Sequence, residues 1–148
     1  MIHTQTFNVK VKVAKQPKIE TSGLLWGGNL AMFCAMLGTP YMPKIKNGIL
    51  FFEDISESPY RIERMLLQVK QAGILDKQRA VVMGQFTGYK LSEADNGYNF
   101  DEVVSYMRKQ TKVPIITGLP FGHVNDKVTL PFGSKVKLKS TSSGFSLT

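Results

Sequence analysis

The sequence predicts an α/β domain on a mixed sheet, with parallel βα units in the middle and antiparallel strands at the C-terminal end, curling toward a partly closed, swivelling-type barrel. Three observations predict it. Apolar runs of strand length occur at residues 49–52, 80–83 and 113–116, as in strands buried on both faces, and amphipathic helical stretches lie between them. Phe7, Val9, Val11 and Val13 alternate with Asn8, Lys10 and Lys12, the period of a half-buried strand. Near the end, Val136 and Leu138 alternate with lysines between Gly133 and Gly144, which marks short strands divided by turns.

Taken in order, the first strand is followed by AKQPKIETSG, a polar stretch with Pro17 and Gly23 that reads as a linker or entry segment. GLLWGGNLAMFCAMLG then reads as strand, turn and helix, with Gly27 and Gly28 at the turn, Asn29 as N-cap and Gly38 as the stop. After an Asn-Gly turn signal comes ILFFE, whose last residue is Glu53. Ser58 and Pro59 open the next helix as cap and first residue, and Ile62, Met65, Leu66 and Val69 form its apolar stripe up to Gly73. RAVVMGQFTG is a further buried strand, LSEADNGYN a polar loop, and FDEVVSYMRKQT an amphipathic helix capped by Asn99. VPIITGLPFGH repeats the plan of ILFFE: an apolar strand that delivers a polar residue, here His123.

Composition bounds the function. The 148 residues are ordinary for one domain, and 43% hydrophobic content is enough for a core. No run approaches the roughly 20 consecutive apolar residues that span a bilayer, and the N-terminus lacks a signal-peptide layout, so a cytoplasmic protein without a membrane partner is expected. The single cysteine, Cys34, lies in LAMFCAML and reads as a buried, inert thiol. A formal charge of +8 raises the question of nucleic acid, but the lysines alternate with apolar residues as solvent-facing strand positions do, which makes that partner a poor fit.

Two residues carry chemistry. Glu53 abuts Phe51 and Phe52, where an unpaired carboxylate is costly and a partner is expected. His123 follows an apolar run and precedes VNDK, a loop able to shape a cleft mouth; the other histidine, His3, falls in the N-terminal segment. Each also has a structural explanation, as a satisfied core residue. Asp54, Glu57 and Ser58 read as start chemistry for the helix that follows them. Gly27, Gly28 and Asn29 open a helix whose N–H groups are able to hold an anion, a weak substrate-binding signal. Neither a metal cluster, nor a cofactor motif, nor a nucleophile elbow is present in the sequence, so no metal or cofactor is expected.

WGGNLAMFCAMLGTPYMPKIKNGILFFEDISESPYRIERMLLQVKQAGIL, VVMGQFTG, PIITGLPFGH and VTLPFG together resemble the C-terminal domain of the LD-carboxypeptidases, from about residue 21 to about 140. These are the muramoyltetrapeptide carboxypeptidases, serine peptidases grouped with the microcin C immunity peptidases. The resemblance implies a Ser-His-Glu triad that removes terminal D-alanine from murein tetrapeptide in peptidoglycan recycling, with Glu53 and His123 as two members and Glu57 as competitor for the acid. It also implies a separate N-terminal domain that carries the serine and is missing here, an inactive isolated chain, and a homodimer. On that basis residues 1–20 are a strand and linker segment and residues 21–148 the domain itself. The residues alone leave open a non-catalytic module that binds muropeptides or other anions, or one that dimerises.

Overall fold

The computed structural model describes residues 7–148; His3 lies outside the described residues. In chain order the elements are β1 (Val9–Lys12), β2 (Ile19–Asn29), α1 (Leu30–Ala35), β3 (Ile49–Ile55), α2 (Pro59–Gln71), β4 (Ala80–Thr87), α3 (Phe100–Gln110), β5 (Ile115–Thr117), β6 (Lys135–Thr141) and β7 (Gly144–Leu147). They form one sheet of order β1-β7-β6-β2-β3-β4-β5. Strands β2 to β5 are parallel neighbours, whereas β2, β6, β7 and β1 are joined antiparallel. The mixed α/β architecture expected from the sequence is therefore the one observed.

The mixing happens on β2. Its first half, Ile19–Leu24, pairs antiparallel with β6, and its second half, Leu25–Asn29, pairs parallel with β3. The polar stretch read as a linker is thus partly strand, because Glu20 and Ser22 belong to the first half of β2, where exposed Glu20 pairs with Lys137 at 2.7 Å. The same strand runs through Gly27 and Gly28, which lie in register with Phe51 and Phe52 and do not form a turn before the helix. β1 pairs with β7, so residues 9–12 belong to the same sheet as the rest of the domain.

Strand alternation divides the interior in two. Trp26, Leu50, Phe52, Val81, Met83 and Ile115 face the helices, and pack against Ile62, Leu66 and Val69 of α2 and Val103 and Met107 of α3. Leu25, Ile49, Phe51, Val82 and Ile116 face the other way, into the hollow of the curled sheet, where they meet Val136 and Leu138 of β6 and Phe145 and Leu147 of β7. This second core is the reason the sheet curls: both faces of its centre are dry.

The backbone ladder stays open, since β1 and β5 stand at opposite ends of the order. Side chains bridge the seam instead. Buried Gln16 accepts a hydrogen bond from the Thr117 N–H at 2.9 Å and donates to Thr117 Oγ1 at 2.9 Å, in the manner of a missing strand partner. Arg108 of α3 donates to the carbonyls of Lys15 and Ile115, one on each side. Among the described residues, no helix is long and apolar enough to cross a membrane.

Candidate active site

β3 carries two adjacent carboxylates, Glu53 and Asp54, near its end, and alternation sends them to opposite faces. Asp54 follows Leu50 and Phe52 toward the helices. Its Oδ2 accepts from the Ala31 N–H at 2.9 Å, and its Oδ1 accepts from Asn29 Nδ2 and from the Ile55 N–H, each at 2.9 Å. It therefore serves the N-terminus of α1 and not that of α2, contrary to the sequence reading, because the parallel register sets Asn29 beside Glu53 and brings the start of α1 over the end of β3. Asn29 Oδ1 takes the Met32 N–H. Of the N–H groups at the start of α1, those of Ala31 and Met32 are therefore taken by the protein's own side chains.

Glu53 follows Ile49 and Phe51 toward the curled interior and is 5% exposed. Opposite it the β3–β4 pairing steps from Phe52–Met83 to Asp54–Phe86, so Gly84 and Gln85 together face one residue. This bulge twists β4 away and opens room for another segment. That segment is the loop after β5. A Cβ at Gly84 would stand 2.5 Å from the Phe121 carbonyl oxygen, so the loop lies against β4 only because position 84 has no side chain.

Backbone bonds then fix the loop. The Leu119 N–H donates to the Met83 carbonyl at 3.1 Å, the Gln85 N–H to the Phe121 carbonyl at 2.8 Å, and the Val128 N–H to the Pro120 carbonyl at 2.9 Å. Gln85 Nε2 adds a bond to the Leu119 carbonyl at 3.0 Å. Gly122 has φ +142 and passes so near Glu53 that a Cβ there would lie 3.3 Å from the Glu53 Cβ. The expectation that a strand end delivers His123 is corrected here: β5 stops at Thr117, and the docked loop carries the histidine.

His123 Nδ1 lies 2.9 Å from Glu53 Oε2, with the acid buried and the ring half-exposed. Thr87 Oγ1 donates to the His123 carbonyl at 3.3 Å. A buried carboxylate at Nδ1 selects the tautomer that leaves Nε2 free to accept a proton from a second group. Glu57 is engaged elsewhere, accepting from Arg61 Nε at 2.6 Å. Among the described residues, no serine hydroxyl bonds to His123, and no three His, Cys, Asp or Glu side chains gather as a metal site. Ser58 precedes Pro59 as expected, and its carbonyl takes the Arg61 and Ile62 N–H groups, while its hydroxyl makes no capping bond.

A cleft of about 460 Å³ opens beside Glu53. Gly27, Gly28 and Asn29 form one wall; Phe51 and Phe121, edge to face with centroids 5.4 Å apart, form another with exposed Phe132. Gly27 is at φ +130, and a Cβ there would fall 2.0 Å from the Phe51 carbonyl oxygen, so that wall requires glycine. Lys127 completes the lining. Sequence reasoning missed Gly84, Gln85, Gly122 and Lys127; the glycine inside the VVMGQF strand was the one available signal, since such a glycine often marks a bulge or a close approach.

The profile of the LD-carboxypeptidase C-terminal domain matches residues 22–138. A Synechocystis sp. protein provisionally named a carboxypeptidase is 35% identical over 116 residues, which are 78% of this chain and 38% of that protein. The murein tetrapeptide carboxypeptidase of Pseudomonas aeruginosa is 28% identical over 123 residues, 82% of this chain and 39% of its own length. The crystal structure of muramoyltetrapeptide carboxypeptidase from Oxalobacter formigenes superposes with a TM-score of 0.93 at 51% identity, covering 95% of this chain and 48% of that one. The chain thus spans less than half the length of each of these relatives. With the profile running across most of the sequence and the fold matching that crystal structure, the chain belongs to the LD-carboxypeptidase C-terminal domain family.

Proposed function

We propose that this domain supplies the acid/base half of a serine LD-carboxypeptidase that removes the terminal D-alanine of murein tetrapeptide. One observation carries the reading: the buried Glu53 carboxylate, 2.9 Å from Nδ1 of a half-exposed His123, is built as the orienting pair of a hydrolytic triad. The nucleophilic serine comes from a second domain, in line with the share of its relatives that this chain spans.

In the assembled enzyme, His123 Nε2 takes the serine proton as the hydroxyl attacks the carbonyl before D-alanine. It returns that proton to the leaving amine, and an acyl-enzyme forms. Water, activated by the same imidazole, then releases the tripeptide and restores the serine. Glu53 holds the ring and stabilises its charged form throughout. The setting is cytoplasmic peptidoglycan recycling by a homodimer, as the family resemblance implies.

The test is a chimera in which residues 22–138 replace the corresponding domain of the Oxalobacter formigenes enzyme. Release of D-alanine from murein tetrapeptide by the chimera, and none by the isolated chain, is the expected result. Release by the isolated chain sinks the division of labour; a folded chimera without activity sinks the catalytic reading.

A further inference from the structure

We propose that Lys127 binds the free C-terminal carboxylate of the peptide, so that the cleft itself selects for a chain end. The inference rests on the reading above that this cleft receives a peptide whose last residue is removed.

The chemistry sets the requirement. An enzyme that removes one terminal residue must tell a free carboxylate from an amide, and the carboxylate carbon is only two bonds from the nitrogen that leaves. The group that recognises it must therefore stand beside the acid/base pair. A buried carboxylate, Glu53, lines the same space and repels an incoming anion, so a compensating positive group is needed.

Among the described residues at the cleft three candidates for that group stand out, and two fall away. The N–H groups at the start of α1 adjoin the cleft, but Asp54 takes that of Ala31 and Asn29 takes that of Met32. His123 Nδ1 is engaged by Glu53 at 2.9 Å, and in the reading above the ring is committed to proton transfer. Lys127 remains. It is the sole Lys or Arg among the described residues that line the cleft, and it takes part in no ion pair among those residues.

Its placement is also fixed by the loop that carries His123. Lys127 lies four positions beyond the histidine, next to Val128, whose N–H is tied to the Pro120 carbonyl. One docked loop thus brings the base on its outward limb and the cation on its return. The apolar wall of Phe51, Phe121 and Phe132 lowers the local polarity, which strengthens a charge-assisted bond from an ammonium to a carboxylate.

The experiment titrates the 148-residue chain with murein tetrapeptide and, separately, with its C-terminal carboxamide, following the backbone amide resonances of Gly27, Gly28 and Phe121. The expected result is roughly tenfold tighter binding of the carboxylate form, a preference lost in Lys127→Met and kept in Lys127→Arg. Equal binding of the two peptides, a preference that persists in Lys127→Met, or no binding of either peptide overturns the assignment. Turnover does not enter this measurement. An inactive chimera with the preference intact removes the catalytic reading and leaves Lys127 in place; an active chimera without the preference does the reverse.

Discussion

Glu53 and His123 stand 70 residues apart in the chain and 2.9 Å apart in space, the acid on a buried strand and the imidazole on a loop held to the neighbouring strand. Neither position is adjustable. Glu53 is set by strand alternation at the end of β3, and His123 by backbone bonds to Met83 and Gln85 that a bulge in β4 makes possible. The pair is therefore preorganised, and most of the work of holding it is done by residues outside the pair.

In the chimeric enzyme, His123→Ala and Glu53→Gln are each expected to lower kcat by about 10⁴-fold, and the double variant by little more than either alone. Members of a triad act as a unit, so their effects do not add. Steady-state release of D-alanine measures this, and a near-normal rate in either single variant removes that residue from the assignment.

Glu57→Gln is expected to leave turnover within about twofold of the parent. Its carboxylate is held by Arg61 Nε at 2.6 Å, and among the described residues neither side chain is hydrogen-bonded to Glu53 or His123. Both acids lie in the same short motif, which is why the sequence kept Glu57 as a competitor. A loss comparable to that of Glu53→Gln would show that the acid has been misassigned.

The helices and strands were readable because each carries one uniform pattern: ILFFE for a strand dry on both faces, the stripe of Ile62, Met65, Leu66 and Val69 for α2, alternating lysines for β6. What escaped depends on pairing between distant segments. The division of β2 between two partners, the seam closed by Gln16, and the service Asp54 gives to α1 all arise from register, which no local window contains. Glu53 and His123 stood out as isolated residues, but the loop that unites them did not. LPFGH follows an apolar strand, and nothing in its composition says that the strand ends at Thr117.

Gly84→Ala tests the docking of that loop. The added methyl would lie 2.5 Å from the Phe121 carbonyl oxygen, so the loop must shift, and His123 with it. Stability is expected to fall by about 1–3 kcal/mol and kcat in the chimera by 10²-fold or more, since a displacement near 1 Å at a reacting group costs that much. Denaturant melts and D-alanine release read the two effects. Unchanged values for both would mean that the contact yields without consequence.

Cys34 is expected to resist alkylation. Burial, aided by the nearby Asp54 carboxylate, pushes its thiol up to about 11 from an ordinary 9.0. Only the thiolate reacts, so iodoacetamide at pH 8 should modify the folded chain at least about tenfold more slowly than free glutathione, with a rate that climbs up to about pH 11. Because the folded value is the higher one, this group's contribution to stability is complete below pH 9 and is lost as pH rises from 9 to 11. A rate that levels off below pH 9 contradicts this.

Asp54→Ala is expected to cost about 2–4 kcal/mol, because it leaves three donors, Asn29 Nδ2 and the N–H groups of Ala31 and Ile55, without their acceptor at a position 4% exposed. The damage should be local before it is global. α1 has six residues, too few to persist without an anchored first turn, so hydrogen exchange at Ala31 and Met32 should quicken more than at the core amides of β3. Asp54→Asn keeps one acceptor oxygen and should fall between the two. The wall of the cleft at Gly27, Gly28 and Asn29 joins β2 to α1, so a frayed α1 also loosens that wall, which lines the proposed peptide site. In the chimera that predicts a raised KM for the tetrapeptide with kcat largely kept, and a variant that instead lost kcat alone would place Asp54 with the acid/base pair.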